Sequence, residues 1–418
     1  MRALTQPVRT SLFVRRMSSV AMALKFPVYP PSKYDTSTNE PVKRPKEFAC
    51  FSYDEHRRFH LGDRSLKWYY PPTLGVDLSE GYERFDRHDD RIDEHLDALL
   101  RTIADHEQKT GEAIDAQIVT WRGMLTKIMA APFDKEAFEM NATLYRDCIF
   151  IEENHEFWYR KQMVERKTTP RGSKDRPTLP MMQYWGYKFE TLSTIPRPWG
   201  ETSREEIENR EHQIVNNKEQ YCSVVRTGFG NTIVCLGGEV DAIWDVKPET
   251  PGDPVNWVEL KTSAEIVTYN DQFRFDRKLM KYWIQSFLLG VPKIIVGFRS
   301  KEGILQKIEE FQTLKLPYEV QGKGRAKWDG NVCIKFTTLF LEWLRLNVTD
   351  EGVWRIRRAP GADFIELFRV EEVGHGDIVS DEFMNWRIKL EFRKSKAQEQ
   401  AQQSESEPTP EPAAAAGS

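Results

Sequence analysis

The chain has 418 residues and a formal net charge of −4, so it has no uniformly basic coat, and any nucleic-acid contact requires a local basic groove. Hydrophobic residues make up 39% and charged residues 30%, which is typical of a soluble globular protein, and no apolar run reaches the length of a membrane span. The five cysteines are scattered and form no C-x-x-C pair, which argues against a disulfide framework or a zinc site and favours a reducing compartment.

The two ends of the chain differ in composition from the middle. The first 34 residues contain Lys and Arg but no acid, which resembles a mitochondrial transit peptide; we favour the alternative of an unstructured leader upstream of a later start at Met17 or Met22. We predict a flexible leader over residues 1–45 and one compact domain over 46–393. Residues 394–418 lack bulky apolar side chains, which predicts a disordered tail.

Hydrophobic periodicity predicts alternating helices and strands in the middle of the chain. Gly228 to Asn231 is typical of a hairpin turn, and Gly290 is typical of a helix end. These elements predict an α/β (α+β) domain with a mixed sheet. The predicted helices are 89–109, 204–220, 276–289 and 337–346, and the predicted strands are 117–121, 147–152, 222–227, 232–246, 257–262, 293–298, 353–358 and 364–370.

Acidic side chains occur on two neighbouring predicted strands. Glu239 and Asp241 are two residues apart and therefore point to one face, as do Glu259 and Lys261 on the next strand. If the strands pair, three carboxylates and one ammonium group converge. Carboxylates this close repel one another unless a cation lies among them, and oxygen ligands suit Mg²⁺ or Mn²⁺.

This arrangement predicts metal-assisted hydrolysis of a phosphate ester. A metal held by Asp241 and Glu259 polarises a phosphoryl oxygen, Lys261 orients water or balances charge, and the Leu260 carbonyl is a further candidate ligand. The pattern of Asp, a loop and Glu-x-Lys resembles the PD-(D/E)XK nucleases. The alternative is a solvated strand face with a cross-strand salt bridge, but the apolar flanks of both strands argue against it. Removing Asp241 or Glu259 is expected to abolish hydrolysis and to leave the fold intact.

Residues 45–390 resemble the decapping exoribonuclease family, which comprises the DXO and Rai proteins. Within that family they resemble a fungal member. The resemblance rests on short motifs in the family's order. Alone, Glu190 suggests a surface or helix-capping acid at the end of an alternating run, and Gln285 suggests a helix-surface residue. The matching motifs are Arg122 in TWRGMLTKI, GYKFE ending at Glu190, Glu239-Val240-Asp241, Glu259-Leu260-Lys261, and then Gln285.

The resemblance implies two mixed sheets flanked by helices, with the active-site pocket between the sheets. It implies catalytic roles for Glu190, Glu239, Asp241, Glu259 and Lys261. It also implies one or two Mg²⁺ or Mn²⁺ ions bound by Asp241, Glu259 and the Leu260 carbonyl, with Glu190 and Glu239 close by or acting through water. Contacts to RNA are implied for Arg122, Lys261 and Gln285.

The resemblance further implies a substrate, RNA with a defective or non-canonical 5′ end. The implied reactions are removal of NAD caps, unmethylated caps or 5′-triphosphates, with 5′→3′ exoribonuclease activity in some members. A nuclear location, with cytoplasm and mitochondria left open, and a nuclear 5′→3′ exoribonuclease partner are also implied. Segment 303–320 is expected to form a partner-binding edge. The alternatives are a DNA-acting PD-(D/E)XK nuclease and an accessory subunit of another nuclease.

Overall fold

The computed structural model describes residues 23–35, 40–168, 177–322 and 327–406, and two β-sheets dominate this part of the chain. The strands are β1 Leu24–Pro27, β2 Val42–Tyr53, β3 Phe59–Leu61, β4 Trp68–Tyr69, β5 Ile118–Trp121, β6 Phe138–Tyr145, β7 Cys148–Glu153, β8 Thr194–Ile195, β9 Gln220–Phe229, β10 Thr232–Glu239, β11 Ala242–Ile243, β12 Trp257–Ala264, β13 Lys293–Arg299, β14 Leu305–Gln312, β15 Val353–Arg358 and β16 Phe364–Glu371. The helices are α1 Asp97–Thr110, α2 Arg122–Ala130, α3 His155–Thr168, α4 Leu179–Leu192, α5 Arg204–Glu208, α6 Tyr269–Leu289, α7 Leu316–Gly322, α8 Gly330–Asn347 and α9 Asp381–Ser406. None of the helices described is both long and apolar enough to cross a membrane.

Both sheets are mixed, as predicted. The larger sheet has ten strands in the order β1-β16-β15-β6-β7-β5-β10-β9-β2-β3, and the smaller has six in the order β14-β13-β12-β11-β4-β8. Strand β5 is parallel to both β7 and β10, and β12 is parallel to β13, whereas the hairpin β9–β10 is antiparallel. The structure therefore confirms a single α/β domain with two mixed sheets flanked by helices.

The helices cover both sheets in layers. Apolar side chains of α2, α6 and α8 fill the central core together with one face of each sheet. Helices α1 and α9 cover the outer face of the larger sheet, and α4 covers the outer face of the smaller sheet. Alternation along β5 illustrates this arrangement, because Ile118 belongs to the central core and Val119 belongs to the outer one.

The segment predicted as one strand over residues 232–246 connects the two sheets instead. Glu239 ends β10, where it pairs with Cys222 of the larger sheet. Ala242 begins β11, where it pairs with Val258 of the smaller sheet. The chain passes from the larger sheet to the smaller one between Glu239 and Ala242, so Asp241 lies where the sheets meet. The predicted hairpin turn is confirmed, with Gly230 at a φ of 55°.

Two predicted helices are shorter in the structure because side chains hydrogen-bond the backbone in competition with helix formation. In the segment 89–109, Asp89 and Asp93 accept hydrogen bonds from nearby backbone N–H groups, and α1 begins only at Asp97. In the segment 204–220, α5 ends at Glu208. Asn216 then accepts the Lys218 N–H at 2.6 Å in a turn before β9.

The predicted leader over residues 1–45 is wrong for its second half. Strand β1 pairs with β16 at the edge of the larger sheet. Phe26 and Tyr34 are buried, with ring centroids 5.5 and 5.1 Å from Phe336 of α8. Three bulky apolar side chains, including Val28, offset the ordering entropy of this segment. Residues 1–22 lie outside the described part of the chain.

The predicted disordered tail over residues 394–418 is wrong up to Ser406, where helix α9 ends. Trp386 and Leu390 anchor the first half of this helix in the outer core. The residues that follow are mostly Ala, Gln, Glu and Lys, which are good helix formers, and extending an existing helix requires no new nucleus. Residues 407–418 lie outside the described part of the chain.

Candidate active site at the junction of the sheets

Asp241 connects the two sheets at the candidate site. Its Oδ2 accepts a hydrogen bond from the Leu260 N–H at 2.6 Å. The Leu260 side chain belongs to the core beneath α4, so Glu259 and Lys261 project from the opposite face of β12. The N–H and C=O of one strand residue point to the same side, which directs the Leu260 carbonyl toward the side where Asp241 lies.

Glu259 is fully buried between two cations. Its Oε2 accepts a hydrogen bond from Arg122 Nη1 at 3.0 Å, and its Oε1 is 2.5 Å from the Lys261 ammonium. Glu259 therefore joins Arg122, at the start of α2, to Lys261 on β12.

Gly238 allows Arg122 to approach β10 next to Glu239. A methyl group at Gly238 would lie 3.0 Å from Arg122 Cβ and 2.8 Å from Leu289 Cδ1 at the end of α6. Both distances are shorter than an ordinary carbon–carbon contact. The missing side chain thus permits α2 and α6 to pack on β10 immediately before Glu239.

Burial and mutual repulsion perturb the acids of this site. Burial and the neighbouring charges of Asp241 and Glu239 raise the pKa of Glu190 well above its usual value. Burial and the charge of Glu259 raise the pKa of Asp241 to about 7, and burial also raises the pKa of Glu239. Burial opposes ionisation of Glu259 as well, but Arg122 and Lys261 outweigh it and hold the pKa of Glu259 below its usual value.

Three of these acids line one polar cavity of about 500 Å³: Glu190, Glu239 and Asp241. Glu190 reaches it from α4, so the GYKFE segment is helical although its residues alternate as in a strand. Sequence reasoning missed several lining residues, because nothing in their local pattern distinguishes them from surface polar residues. The missed residues are Ser65, Lys67, Tyr187, Thr191, Thr194, Asn216, Asn217, Glu219, Gln220 and Tyr221.

Gln285 lies apart from this cavity. It lines a neighbouring groove of about 570 Å³ together with Gly123, the second residue of α2, and Lys281 of its own helix. Arg122, Glu259, Lys261 and Asp241 form one cluster, and Gln285 lines the groove beside the start of α2.

The donor set fits a hard divalent cation. Asp241, Glu239, Glu259 and the Leu260 carbonyl supply oxygen only, which is the ligand type that such cations prefer. Among the described residues, no three His, Cys, Asp or Glu side chains stand in a metal-ligand arrangement as they are. Lys261 and Arg122 neutralise Glu259 in this arrangement.

Comparison with known proteins defines the class. Residues 43–384 match the family model described as RAI1 like PD-(D/E)XK nuclease. Decapping nuclease RAI1 of Neurospora crassa is 63% identical over 376 residues, which cover 90% of this chain and 90% of that protein. The structure of Candida albicans Rai1 in complex with pU5-Mn²⁺ has a TM-score of 0.81 and 31% identity, and the match covers 88% of this chain and 100% of that chain. Scheffersomyces stipitis Rai1 in complex with (3′-NADP)⁺ and calcium ion has a TM-score of 0.77 and 28% identity, with coverage of 85% of this chain and 97% of that chain.

The fold and these matches define a nuclease, and thus a hydrolase, of the PD-(D/E)XK class. The chain belongs to the RAI1-like PD-(D/E)XK nuclease family, which confirms the predicted resemblance.

Proposed function

We propose that this chain is a divalent-metal-dependent nuclease that removes defective or non-canonical 5′ ends from RNA. One observation carries the proposal. Asp241, in the link between β10 and β11, and Glu259, on β12, lie beside Lys261 and Arg122 where the two sheets join. The curated relative from Neurospora crassa is named a decapping nuclease, which supports the 5′ end as the point of action.

The proposed ligands of a Mg²⁺ or Mn²⁺ ion are Asp241, Glu259 and the Leu260 carbonyl, with Glu239 and Glu190 close by or acting through water. When bound, such an ion supplies a polarised phosphoryl oxygen and a water of lowered pKa. Support for a divalent ion comes from the relatives, because the Candida albicans structure contains Mn²⁺ and the Scheffersomyces stipitis structure contains calcium.

The cations of the cluster have separate proposed roles. Lys261 orients the attacking water or balances the negative charge that grows on the phosphoryl oxygens. Arg122 binds an RNA phosphate, and its side chain is already held in place by Glu259. Gln285 is proposed to contact the RNA farther along, from the neighbouring groove that it lines.

The reactions expected at different 5′ ends share one chemistry, in which water attacks a phosphorus atom, and they differ only in which phosphorus atom is attacked. The seating of the 5′ group in the polar cavity decides which bond lies beside Asp241 and Glu259. Relatives support both a dinucleotide and an RNA chain as occupants, since one structure contains (3′-NADP)⁺ and another contains pU5. We therefore propose NAD caps, unmethylated caps and 5′-triphosphates as substrates, with 5′→3′ exoribonuclease activity on the 5′-monophosphate product.

Parallel digestion of NAD-capped, unmethylated-cap, triphosphate and monophosphate RNAs, with identification of the released products, tests this proposal. Hydrolysis is expected with Mg²⁺ or Mn²⁺, is expected to stop with EDTA, and is expected to be lost in Asp241→Asn. DNA of the same sequence is the matched control. Turnover without metal would exclude the mechanism, and equal cleavage of the DNA would favour a DNA-acting nuclease.

A second proposed role is binding of a nuclear 5′→3′ exoribonuclease. It is favoured by the segment 303–320, in which β14 is an edge strand of the smaller sheet and Leu314 and Tyr318 are 70% and 69% exposed. A pull-down of such an exoribonuclease should be weakened by Leu314→Asp combined with Tyr318→Ser. The control is Leu346→Asp, at a residue 76% exposed on α8. Equal capture by all three proteins would rule out this edge.

The proposed location is the nucleus, where such a partner and newly made 5′ ends are found together. A fluorescent tag at the carboxyl end should give a nuclear signal for the full chain and for chains that begin at Met17 or Met22. A mitochondrial signal seen only with the full chain would instead assign a targeting role to the basic leader.

A further inference from the structure

Helix α6 carries a basic stripe that the proposed active site does not use. Arg274, Arg277, Lys278 and Lys281 stand at positions i, i+3, i+4 and i+7 and therefore lie along one side of the helix. They line a groove of about 1300 Å³, whose other walls are formed by Lys327, Phe273, Trp328, Phe133, Asp134 and Met280.

The charge of this groove is largely uncompensated. Lys281 is neutralised, because its ammonium group lies 2.7 Å from both Asp134 and Glu136. Arg274 lies 3.9 Å from Asp271, a weak exposed contact. No carboxylate within ion-pair distance of Arg277, Lys278 or Lys327 occurs in the described ranges, and Asp134 is the one acid among the lining residues. An exposed, concave cationic surface of this kind attracts a polyanion.

The groove lies beside the candidate active site. The Lys278 ammonium is 3.5 Å from Ser263 Oγ, and the Tyr282 hydroxyl donates to the Thr262 carbonyl at 3.3 Å. Ser263 and Thr262 directly follow Lys261 on β12. At its other side the groove shares Asp134 and Lys281 with the groove that contains Gln285. A chain leaving the site beside Lys261 therefore passes along α6.

We infer that the α6 groove binds the sugar–phosphate backbone of the RNA chain that follows the 5′ end. This inference rests on the proposed RNA substrate. The twelve residues from Arg274 to Gln285 span about 16 Å along the helix across the two adjoining grooves, so this side of α6 contacts more than one nucleotide. Unpaired cations bind phosphates. The groove thus makes affinity depend on RNA length and leaves the chemistry at the 5′ end to the other residues.

Binding of RNAs of two lengths tests the inference. The probes are a 5′-monophosphate dinucleotide and a single strand of about twelve nucleotides, in EDTA buffer that prevents metal-dependent hydrolysis. The variant is Arg277→Gln combined with Lys278→Gln. The control is Lys301→Gln combined with Lys389→Gln, at two exposed lysines without an ion-pair partner in the described chain. Thermal melts check that both proteins fold like the wild type.

The groove variant is expected to bind the longer strand about tenfold more weakly and to bind the dinucleotide as the wild type does. The slope of log affinity against log salt should fall by about 1.4, since each phosphate contact on a single strand contributes about 0.7. Unchanged affinity for the longer strand, as expected for a groove that binds an acidic protein segment, would overturn the inference, as would an equal loss for the dinucleotide. Because binding is measured without catalysis, failure of the proposed nuclease reaction would be seen separately.

Discussion

Glu259 and Asp241 are both acids of the proposed metal site, but their charges affect the stability of the fold in opposite directions. Glu259 is fully buried and neutralises Arg122 and Lys261. Asp241 is repelled by Glu259 and Glu239, and its pKa is raised, first by burial and then by these charges. A residue that balances two buried cations stabilises the fold, whereas a residue that adds to acidic repulsion costs free energy.

We therefore expect Glu259→Gln and Asp241→Asn both to abolish hydrolysis and to differ in stability. Glu259→Gln should lower the free energy of unfolding by about 3 kcal/mol, because it removes the carboxylate that contacts both Arg122 and Lys261. Asp241→Asn should change it by less than about 1 kcal/mol, or raise it, in metal-free buffer at pH 8. Urea unfolding of the two variants measures the difference.

The sequence alone led to the expectation that removing either acid leaves the fold intact. That expectation considered only repulsion among the carboxylates, and it missed Arg122, which is 137 residues away from Glu259 in the chain. Equal stabilities of the two variants would show that the ion pairs of Glu259 contribute nothing measurable.

At the scale of the elements, the approach of α2 and α6 to β10 depends on Gly238. Gly238→Ala should displace Arg122 and Leu289, lowering activity by at least about tenfold and stability by about 1–3 kcal/mol. The control is Gly186→Ala in α4, where a methyl group would meet nothing within 4 Å and should stabilise the helix by up to about 1 kcal/mol. Steady-state kinetics and urea unfolding measure both effects; wild-type kinetics in Gly238→Ala would show that the close packing is dispensable.

The turn before α1 is attached to β7 through a histidine that should make stability depend on pH. His95 Nδ1 is 2.9 Å from Glu152 Oε2, and this hydrogen bond is the main cause that raises the pKa of His95 to about 9. A raised pKa means that the folded state binds the proton more tightly than the unfolded state. The stabilisation is therefore complete below pH 6.5 and is lost as the pH rises through 9.

His95→Gln should remove that contribution. The difference in the free energy of unfolding between wild type and variant should therefore be about 1–2 kcal/mol larger at pH 6 than at pH 9.5, with allowance for partial solvent screening. Urea unfolding at the two pH values gives the difference, in which other titrating groups cancel. His56→Gln, at an exposed histidine, is the control. A difference that does not change with pH would mean that the ion pair is too weak to matter.

At the scale of the whole molecule, the segment from Leu24 to Tyr34 closes one end of the central core. Strand β1 forms the edge of the larger sheet, and Phe26, Val28 and Tyr34 are buried against α8 and its surroundings. A chain of residues 40–406 should be about 5 kcal/mol less stable than a chain of residues 23–406, because three large apolar side chains are lost. Urea unfolding of both chains tests this. Equal midpoints would show that residues 24–34 contribute nothing to the stability of the domain, as expected of a flexible leader.

Elements that depend on neighbouring residues were predictable from the sequence, and features that depend on distant residues were not. Val353–Arg358 was predicted to the residue, and α8 and β13 were predicted with shifted ends, because local apolar periodicity determines them. The end of α6 was predicted correctly because Gly290 is a local end signal. The change of sheet at Asp241 and the burial of Phe26 were not predictable in this way, since both depend on partners far along the chain.

The same distinction applies to the site. The sequence by itself determined the family, the α/β class and the candidate acids, because motif spacing and alternation along strands are local properties. Only the tertiary structure decided that Arg122 neutralises Glu259, that Glu190 reaches the cavity from a helix, and that Lys67 and Asn217 line it. It also set Gln285 in a separate groove. Charge balance and cavity walls arise where distant segments pack together, and no local pattern of residues records which segments those are.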